Sequence, residues 1–482
     1  MSARTASPKA PRDKVPTTTE PIETGTSGFY LKGPGFRRYL TVYTLVYIGI
    51  SAVWGAVLGI VLPNHVQLFE FANFFTGADA GVDLQQLTLL KQSIDDGTAT
   101  ATADQQRQLD ILSAYESSKA GALAVITSIG AVVTMFVQPI VGVLSDRTRS
   151  RFGRRAPWIL SGAIIGSALL VVARFSPTLA VLGLAIALAQ GFLNMALAPL
   201  QTTVADRVTE ERRGLASGLG GFGNFLGGLL GGILAGVFFS SVGLDIYLVV
   251  ALSAAFTATL FVLLARDRSS LDLAVDAFNW KQFFVGFTVA VRDADFRWVF
   301  IARLLLTFGY TVSTALGLYL LQSYVRPALS ASEATTMAPL LTLVGLPLTL
   351  IAMLLSGRIS DKVGKRKPFV IVASIIMAAS FLVPIISPTL PGLFIQVALA
   401  GLAFGIYIPV DQALFIDVLP DPRRAGRDLG VANLGSSLGQ ALGPLLASLV
   451  VVVTGGYLGI WIVAVVLVGL AALAIVPVKG AK

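Results

Sequence analysis

The 482-residue chain predicts an all-α membrane protein with twelve transmembrane helices in two parallel six-helix repeats, on three observations. The composition is 55% apolar and 13% charged, where a soluble domain spends roughly 25% of its residues on charge to cover its surface. Twelve apolar runs, each of roughly the 20 residues that cross a hydrocarbon core, follow one another along the chain. The second half also repeats the residue spacing of the first.

Residues 1–36 are rich in Pro, Thr and Ser and have no apolar core of a signal peptide, so they read as a disordered cytoplasmic tail. Helices 1 to 6, with cores at 39–62, 120–144, 157–175, 179–205, 214–240 and 246–265, make a first half over 37–265. Residues 266–297 form a cytoplasmic linker, in which DAFNWKQFFVGFTVAVR suits a helix on the inner membrane face or packed under the bundle. Helices 7 to 12, with cores at 298–324, 336–356, 368–387, 391–417, 428–453 and 457–477, make a second half over 298–478. Between helices 1 and 2 lies a long outer loop, 63–119, with eight acids against three bases and helical stretches such as DLQQLTLLKQSI, which reads as a solvated cap. His65, the single histidine, sits at the outer end of helix 1 with no acid near it but Glu70, and reads as an interfacial residue.

The formal charge of +9 is distributed by topology. Placing the N-terminus inside puts 30 of the 36 Lys and Arg residues on the inner side, so both termini are expected in the cytoplasm of a cell-membrane protein. The basic excess then serves orientation and the anionic headgroups of the bilayer, not nucleic acid. Without cysteine there is no disulfide or thiolate metal site, and no His/Asp/Ser or metal-ligand constellation lies near a membrane face. Neither an enzyme nor a cofactor or metal site is expected.

The repeat is visible in the loop after helix 2, GVLSDRTRSRFGRRAPWI, whose Gly153, Arg155 and Pro157 fall on Gly364, Arg366 and Pro368 of GRISDKVGKRKPFV when shifted by 211 residues. The same shift lays Gln201, Asp206, Arg212 and Arg213 on Gln412, Asp417, Arg423 and Arg424. A shift of 212 lays Gly223, Gly227 and Gly231 of helix 5 on Gly435, Gly439 and Gly443 of helix 11. A duplicated unit of six helices enters the membrane the same way round both times, which makes the repeats parallel.

The stretch G-x-x-S-D-x-x-G-K-R at 357–366 resembles the loop between the second and third helices of each half in the major facilitator superfamily, and the resemblance runs from helix 1 to helix 12. The first copy, SDRTRSRFGRRAPW, is longer by four residues and in that respect similar to the sucrose-proton symporters and the glycoside-pentoside-hexuronide cation symporters. The resemblance implies a carrier working by alternating access. It also implies a cytoplasmic latch between the halves, here Asp146, Arg147, Gly153, Arg154 and Arg155 with Asp361, Gly364, Lys365 and Arg366. Read without it, these cations set topology and the two glycines make tight turns.

Large polar residues inside the spans are candidates for a pathway, because hydrocarbon leaves them without water. They fall on helices 1, 4, 7 and 10: Tyr43, Tyr47, Ser51 and Trp54; Gln190, Asn194 and Gln201; Arg303, Thr307 and Tyr310; Tyr407, Asp411 and Gln412. Helices 3, 6, 9 and 12 have no Asn, Gln or charge in their interiors. That period of three is what four cavity-lining helices would produce, and it matches the superfamily. Arg303 and Asp411 sit at similar depths, roughly 8 to 9 Å from the inner side at 1.5 Å per residue. They form either a permanent ion pair or the proton-coupling site.

The expected function is proton-coupled uptake of a small sugar or glycoside, whose C–H faces would stack on aromatic rings and whose hydroxyls would meet amides. Two other readings stay open. GNFLGGLLGG at 223–232 resembles the helix 5 motif of proton-coupled exporters, with Gly228 in place of its proline, although close helix packing explains both copies. A transport-inactive sensor of the same fold is the third. The melibiose-type members hold cations with acids in helix 2, yet no carboxylate lies between Glu116 and Asp146.

Overall fold

The computed structural model describes residues 23–24, 27–28, 33–272, 292–418 and 425–479. The linker helix expected over 276–292 falls outside them but for its last residue, as does most of the tail, of which Glu23–Thr24 pairs antiparallel with Ser27–Gly28.

Among the described residues the chain crosses the membrane twelve times. Ten helical stretches are long and apolar enough to span a bilayer, and the bent pair Ala294–Thr314 and Gly317–Ser323, at 44°, is another. The remaining span is hidden in the 55-residue stretch Glu210–Leu264, which would run to roughly 80 Å if straight, about twice the thickness of a bilayer. Gly243, with φ +59°, breaks that stretch into Glu210–Val242 and Ile246–Leu264.

Helix 1 is Pro34–Ala56, which continues through a π-helical turn, Val57–Val61, into Leu62–Phe74. Helices 2 to 6 are Ala103–Asp146, Ala156–Arg174, Leu179–Arg207, Glu210–Val242 and Ile246–Leu264. Helix 7 is the bent pair, and helices 8 to 12 are Ala331–Val363, Lys367–Ile386, Leu390–Asp417, Ala425–Thr454 and Leu458–Ile475. Below, the face carrying both chain ends is the terminal face and the other the distal face.

The duplication is carried into three dimensions. Helices 1 and 5, 1 and 6, 2 and 4, 3 and 4, and 3 and 6 pack in the first half; 7 and 11, 7 and 12, 8 and 10, 9 and 10, and 9 and 12 pack in the second. Helix 2 against 11 and helix 5 against 8 join the halves. Local signals repeat too: Thr178 and Thr389, also 211 apart, cap helices 4 and 10 by accepting from the amides of Val181 and Gly392. The glycine stripes are packing surfaces. A Cβ at Gly227 would lie 2.4 Å from the Ile48 carbonyl and one at Gly231 2.1 Å from that of Ala52, while one at Gly439 would lie 2.8 Å from the Phe308 amide. The first stripe thus packs on helix 1 and the second on helix 7.

The segment 63–119 contains the helical stretch read in DLQQLTLLKQSI, and the spans on either side run into it. Helix 1 runs on to Phe74, a separate helix covers Leu84–Asp95, and helix 2 starts at Ala103, so helices extend past the membrane. The causes are local: the Asp83 carboxylate accepts from the amides of Gln85 and Gln86, and Thr102 with Gln105 forms a capping box. His65 is packed inside the protein there, 5% exposed with its ring stacked on Phe69.

Candidate functional site

Four groups of polar residues line the path between the faces. Nearest the terminal face, Arg303 of helix 7 and Asp411 of helix 10 meet as their depths predict, with Arg303 Nε 2.7 Å from Asp411 Oδ2. Both are buried, at 6% and 1% exposure. Arg303 also donates to Gln412 Oε1 at 2.8 Å and to Asn433 Oδ1 at 3.5 Å, and its guanidinium lies 4.2 Å over the Phe415 ring. Asp411 Oδ1 and the Tyr407 hydroxyl, one turn earlier on the same helix, are buried without a hydrogen-bond partner. Each of the three Arg303 nitrogens thus has an acceptor, whereas Asp411 Oδ1 accepts no hydrogen bond.

In the first half, Asn194 is the hub of an amide ladder between helices 2 and 4. Its Oδ1 accepts from Gln138 Nε2 at 2.9 Å, and its Nδ2 donates to Thr134 Oγ1 and to the Gln190 carbonyl. Gln190 packs where a Cβ at Gly130 would otherwise stand. On helix 1, Tyr47 lies edge-on to Tyr43, Ser51 donates to Asn224 of helix 5 at 2.6 Å, and Trp54 borders a crevice against Gly228 and Gly232. Helices 1, 4, 7 and 10 supply these groups, but the side chains pair within each half.

The third group seals the distal face and was invisible in the sequence. Lys119 of helix 2 is 2% exposed, paired with Glu116 at 2.8 Å and held between the rings of Tyr115 and Tyr319. Glu116 accepts from Ser323 at 2.9 Å and from the Tyr457 hydroxyl, both from the second half. Around this pair, Gln67 donates to Gln322, Asn64 to Thr335, Gln92 to the Val325 carbonyl and Tyr319 to the Pro63 carbonyl, all across the halves. A single acid, a single base and their amide neighbours look like cap residues in sequence. Only their partners, more than 200 positions away, mark them as a seam.

The fourth is a cavity of about 470 Å³ bounded mainly by helices 7, 8 and 10. From the predicted lining it takes Tyr310, whose ring stacks on Phe404 at 4.9 Å; Tyr47, Ser51, Gln190, Asn194, Thr307 and Tyr407 do not border it. Gln396, Thr342 and Trp461 do. Gln396 precedes Tyr407 by eleven residues, close to three helical turns, so the periodicity that selects Tyr407 also selects it. Trp461 lies on helix 12, where the absence of amides and charges hid it.

On the terminal face the repeated loops fold alike. Gly153 and Gly364 adopt φ of +85° and +66°, in the left-handed region where glycine is favoured. Arg155 pairs with Asp206 at 2.9 Å and, in the second copy, Arg366 with Asp417 at 2.9 Å. Arg154 also reaches Asp206, and Arg155 reaches Asp146. These pairs stay within a half. The side chain of Asp361 lies outside the described residues, while Lys365 is exposed and Arg147 holds a partner. Among the described residues no group of three His, Asp or Glu could hold a metal ion.

Comparison with known proteins agrees with this architecture. Solved structures with the same fold include a nucleoside transporter (TM-score 0.65, 14% identity, 91% of this chain and 98% of that one) and a human organic anion transporter (0.61, 17%, 92% and 100%). Short stretches match two curated relatives. One is an uncharacterized symporter of Synechocystis, 58% identical over 36 residues; the other is a general alpha-glucoside permease of Schizosaccharomyces pombe, 27% identical over 163. The matches span 7% and 30% of those relatives' lengths, and 8% and 29% of this chain. The model of the MFS/sugar transport protein family matches residues 117–476, most of both halves, and the chain is a multi-pass membrane transporter belonging to that family.

Proposed function

We propose that this transporter is a proton-coupled symporter for a sugar or glycoside, with its termini in the cytoplasm and uptake from the distal side. The observation that carries the coupling is the unbonded Oδ1 of buried Asp411, whose other oxygen holds an arginine that also donates to Gln412 and Asn433. A proton arriving from the distal side with the solute binds that oxygen. Oδ2 then holds Arg303 less strongly, the guanidinium keeps Gln412 and Asn433, and the pair re-forms when the proton leaves to the cytoplasm. The family's description and the permease relative support a sugar, and the concentration of Lys and Arg on the terminal face supports a cytoplasmic location for it. In this reading the Glu116–Lys119 seam is the distal gate, and the Arg155–Asp206 and Arg366–Asp417 loops are the platforms of the cytoplasmic latch.

The test is uptake into proteoliposomes with internal pH recorded. Sugar-dependent acidification of the lumen, and accumulation approaching 50-fold under 100 mV, at about 2.3 kcal/mol per charge, is the expected result. Proton movement opposite to the solute would instead indicate an exporter. Specific binding with no flux would indicate a sensor.

A further inference from the structure

Residues 75–102, which join helix 1 to helix 2, have no counterpart in the second half, where residues 324–330 alone join helix 7 to helix 8. The duplicated unit therefore folds without such an excursion, and the helix inside it, Leu84–Asp95, is an addition to the repeat. Its two sides are held differently. Leu87 is buried with Phe75, Leu112 and Tyr115 in a small core separate from those of the bundle. Every residue of that core belongs to the first half. Parting it would expose leucine and aromatic side chains to water, so it fixes the helix to the extensions of helices 1 and 2.

Toward the second half the same helix reaches with polar groups. Gln92, 9% exposed, donates from Nε2 to the Val325 carbonyl at 2.9 Å and accepts from the Ala328 amide on Oε1 at 3.2 Å, pairing with the backbone as a neighbouring strand would. Gln85 donates to the Ala328 carbonyl at 3.2 Å, and Asp96, just past the helix, pairs with Arg326. The loop so gripped is a fixed part of the second half. Its Arg326 amide donates to the Pro388 carbonyl and its Tyr324 hydroxyl to the Pro384 carbonyl, both at 2.7 Å, which ties it to the end of helix 9. Hydrogen bonds of this kind exchange for bonds to water at a net change of about two- to tenfold each in an equilibrium. The polar side can part and re-form while the apolar side stays.

We infer that helix Leu84–Asp95 is a lid on the distal gate, fixed to the first half and latched by Gln85, Gln92 and Asp96 to residues 325–328 of the second, which it releases whenever the distal face opens. The inference rests on the gate reading above, in which the halves part at the distal face, and adds a second lock outside the membrane. Tyr115 links the two locks. Its ring lies edge-on to Phe74 and Phe75 at the lid's core and carries the ammonium of Lys119 at 4.9 Å. Each latch bond favours the distal-closed state and slows entry from the distal side.

Labelling with a membrane-impermeant thiol reagent from the distal side tests the lid without a substrate, in a chain that has no cysteine of its own. A single cysteine placed at Leu123, on the wall of the cavity, reports the gate; one placed at Ala328, 3% exposed, reports the latch. Gln85→Ala with Gln92→Ala shortens two side chains on a helix, where alanine is favoured. This pair should raise the labelling rate at Leu123 by about tenfold, with little change in thermal midpoint. Ser323→Ala with Tyr457→Phe loosens the gate and alters no lid residue, and should raise labelling at both positions. If the gate variant exposes Leu123 but not Ala328, or if it exposes Leu123 and the glutamine variant does not, the helix is a fixed cap; the lid is then overturned and the gate reading stands. If neither variant exposes Leu123, both fall.

Discussion

Ser323 of the second half donates a hydrogen bond of 2.9 Å to the Glu116 carboxylate of the first, and on the same carboxylate Lys119 places its ammonium 2.8 Å away. Glu116 therefore neutralises a lysine that has no water and at the same time bridges the halves. If the distal face opens by separating the halves, Ser323, Tyr457 and Tyr319 leave together, and water must replace them around a charge pair. Such an element has two well-separated states, because a half-broken network would strand buried charge.

Weakening only the bridging donors should favour the open state. Ser323→Ala with Tyr457→Phe keeps the Glu116–Lys119 pair and is expected to increase the labelling rate of a single cysteine placed at Leu123 by a membrane-impermeant thiol reagent, a clean measurement because the chain has no cysteine. Glu116→Gln leaves Lys119 unpaired and should cost about 3–5 kcal/mol of stability instead.

The converse is a lock. A Cβ at Gly121 would lie 3.7 Å from Ser448 Oγ across the halves. Gly121→Cys with Ser448→Cys should form a disulfide on oxidation that stops flux, with reduction restoring it. Unchanged flux in the oxidised protein would show that transport does not separate helices 2 and 11.

Asp411→Asn should abolish accumulation against a gradient yet keep exchange between equal pools, since exchange needs the pathway to alternate but no proton to be shed. Arg303→Gln leaves the buried acid without its partner and should impair both; adding Asp411→Asn should recover part of the exchange. A normally folded Asp411→Asn protein that still concentrates solute would make the pair structural.

The glycine stripes predict a graded series. Gly227→Ala sets a methyl 2.4 Å from the Ile48 carbonyl and should lower stability by about 1–3 kcal/mol, read as a fall in thermal midpoint. Gly218→Ala meets nothing within 4 Å and should be silent. Gly364→Ala puts a side chain at φ +66° and should cost about 1–2 kcal/mol.

Acid should loosen the distal cap. Arg107 grips Asp79 through both oxygens, at 2.6 and 3.0 Å, and with Gln108 pulls its pKa down to about 2. Because the folded value lies below the unfolded one, the stabilisation is complete above about pH 4 and is lost as pH falls through about 2. Hydrogen exchange of residues 77–95, corrected for intrinsic rate, should rise over that window, and Asp79→Asn should show the same rise at neutral pH.

What could be read without coordinates was whatever repeats at short range or at a fixed shift. Apolar runs long enough for a bilayer mark the spans, because each must satisfy its own backbone. The 211-residue shift already pairs Arg155 and Asp206 with Arg366 and Asp417, since a duplicated unit folds twice under the same local rules. Even the Arg303–Asp411 pair follows from two depths along two helices. Beyond this, the chain alone was silent wherever a role depends on a partner that no periodicity links to it. Glu116 and Lys119 read as one acid and one base on a solvated cap until Ser323, Tyr319 and Tyr457 enclose them. Gln396, Tyr310 and Trp461 share a cavity only because three helices bend around one space. Helical pattern sets which face a residue occupies; which distant face it meets is a matter of packing between halves, and there the distal gate and the cavity are made.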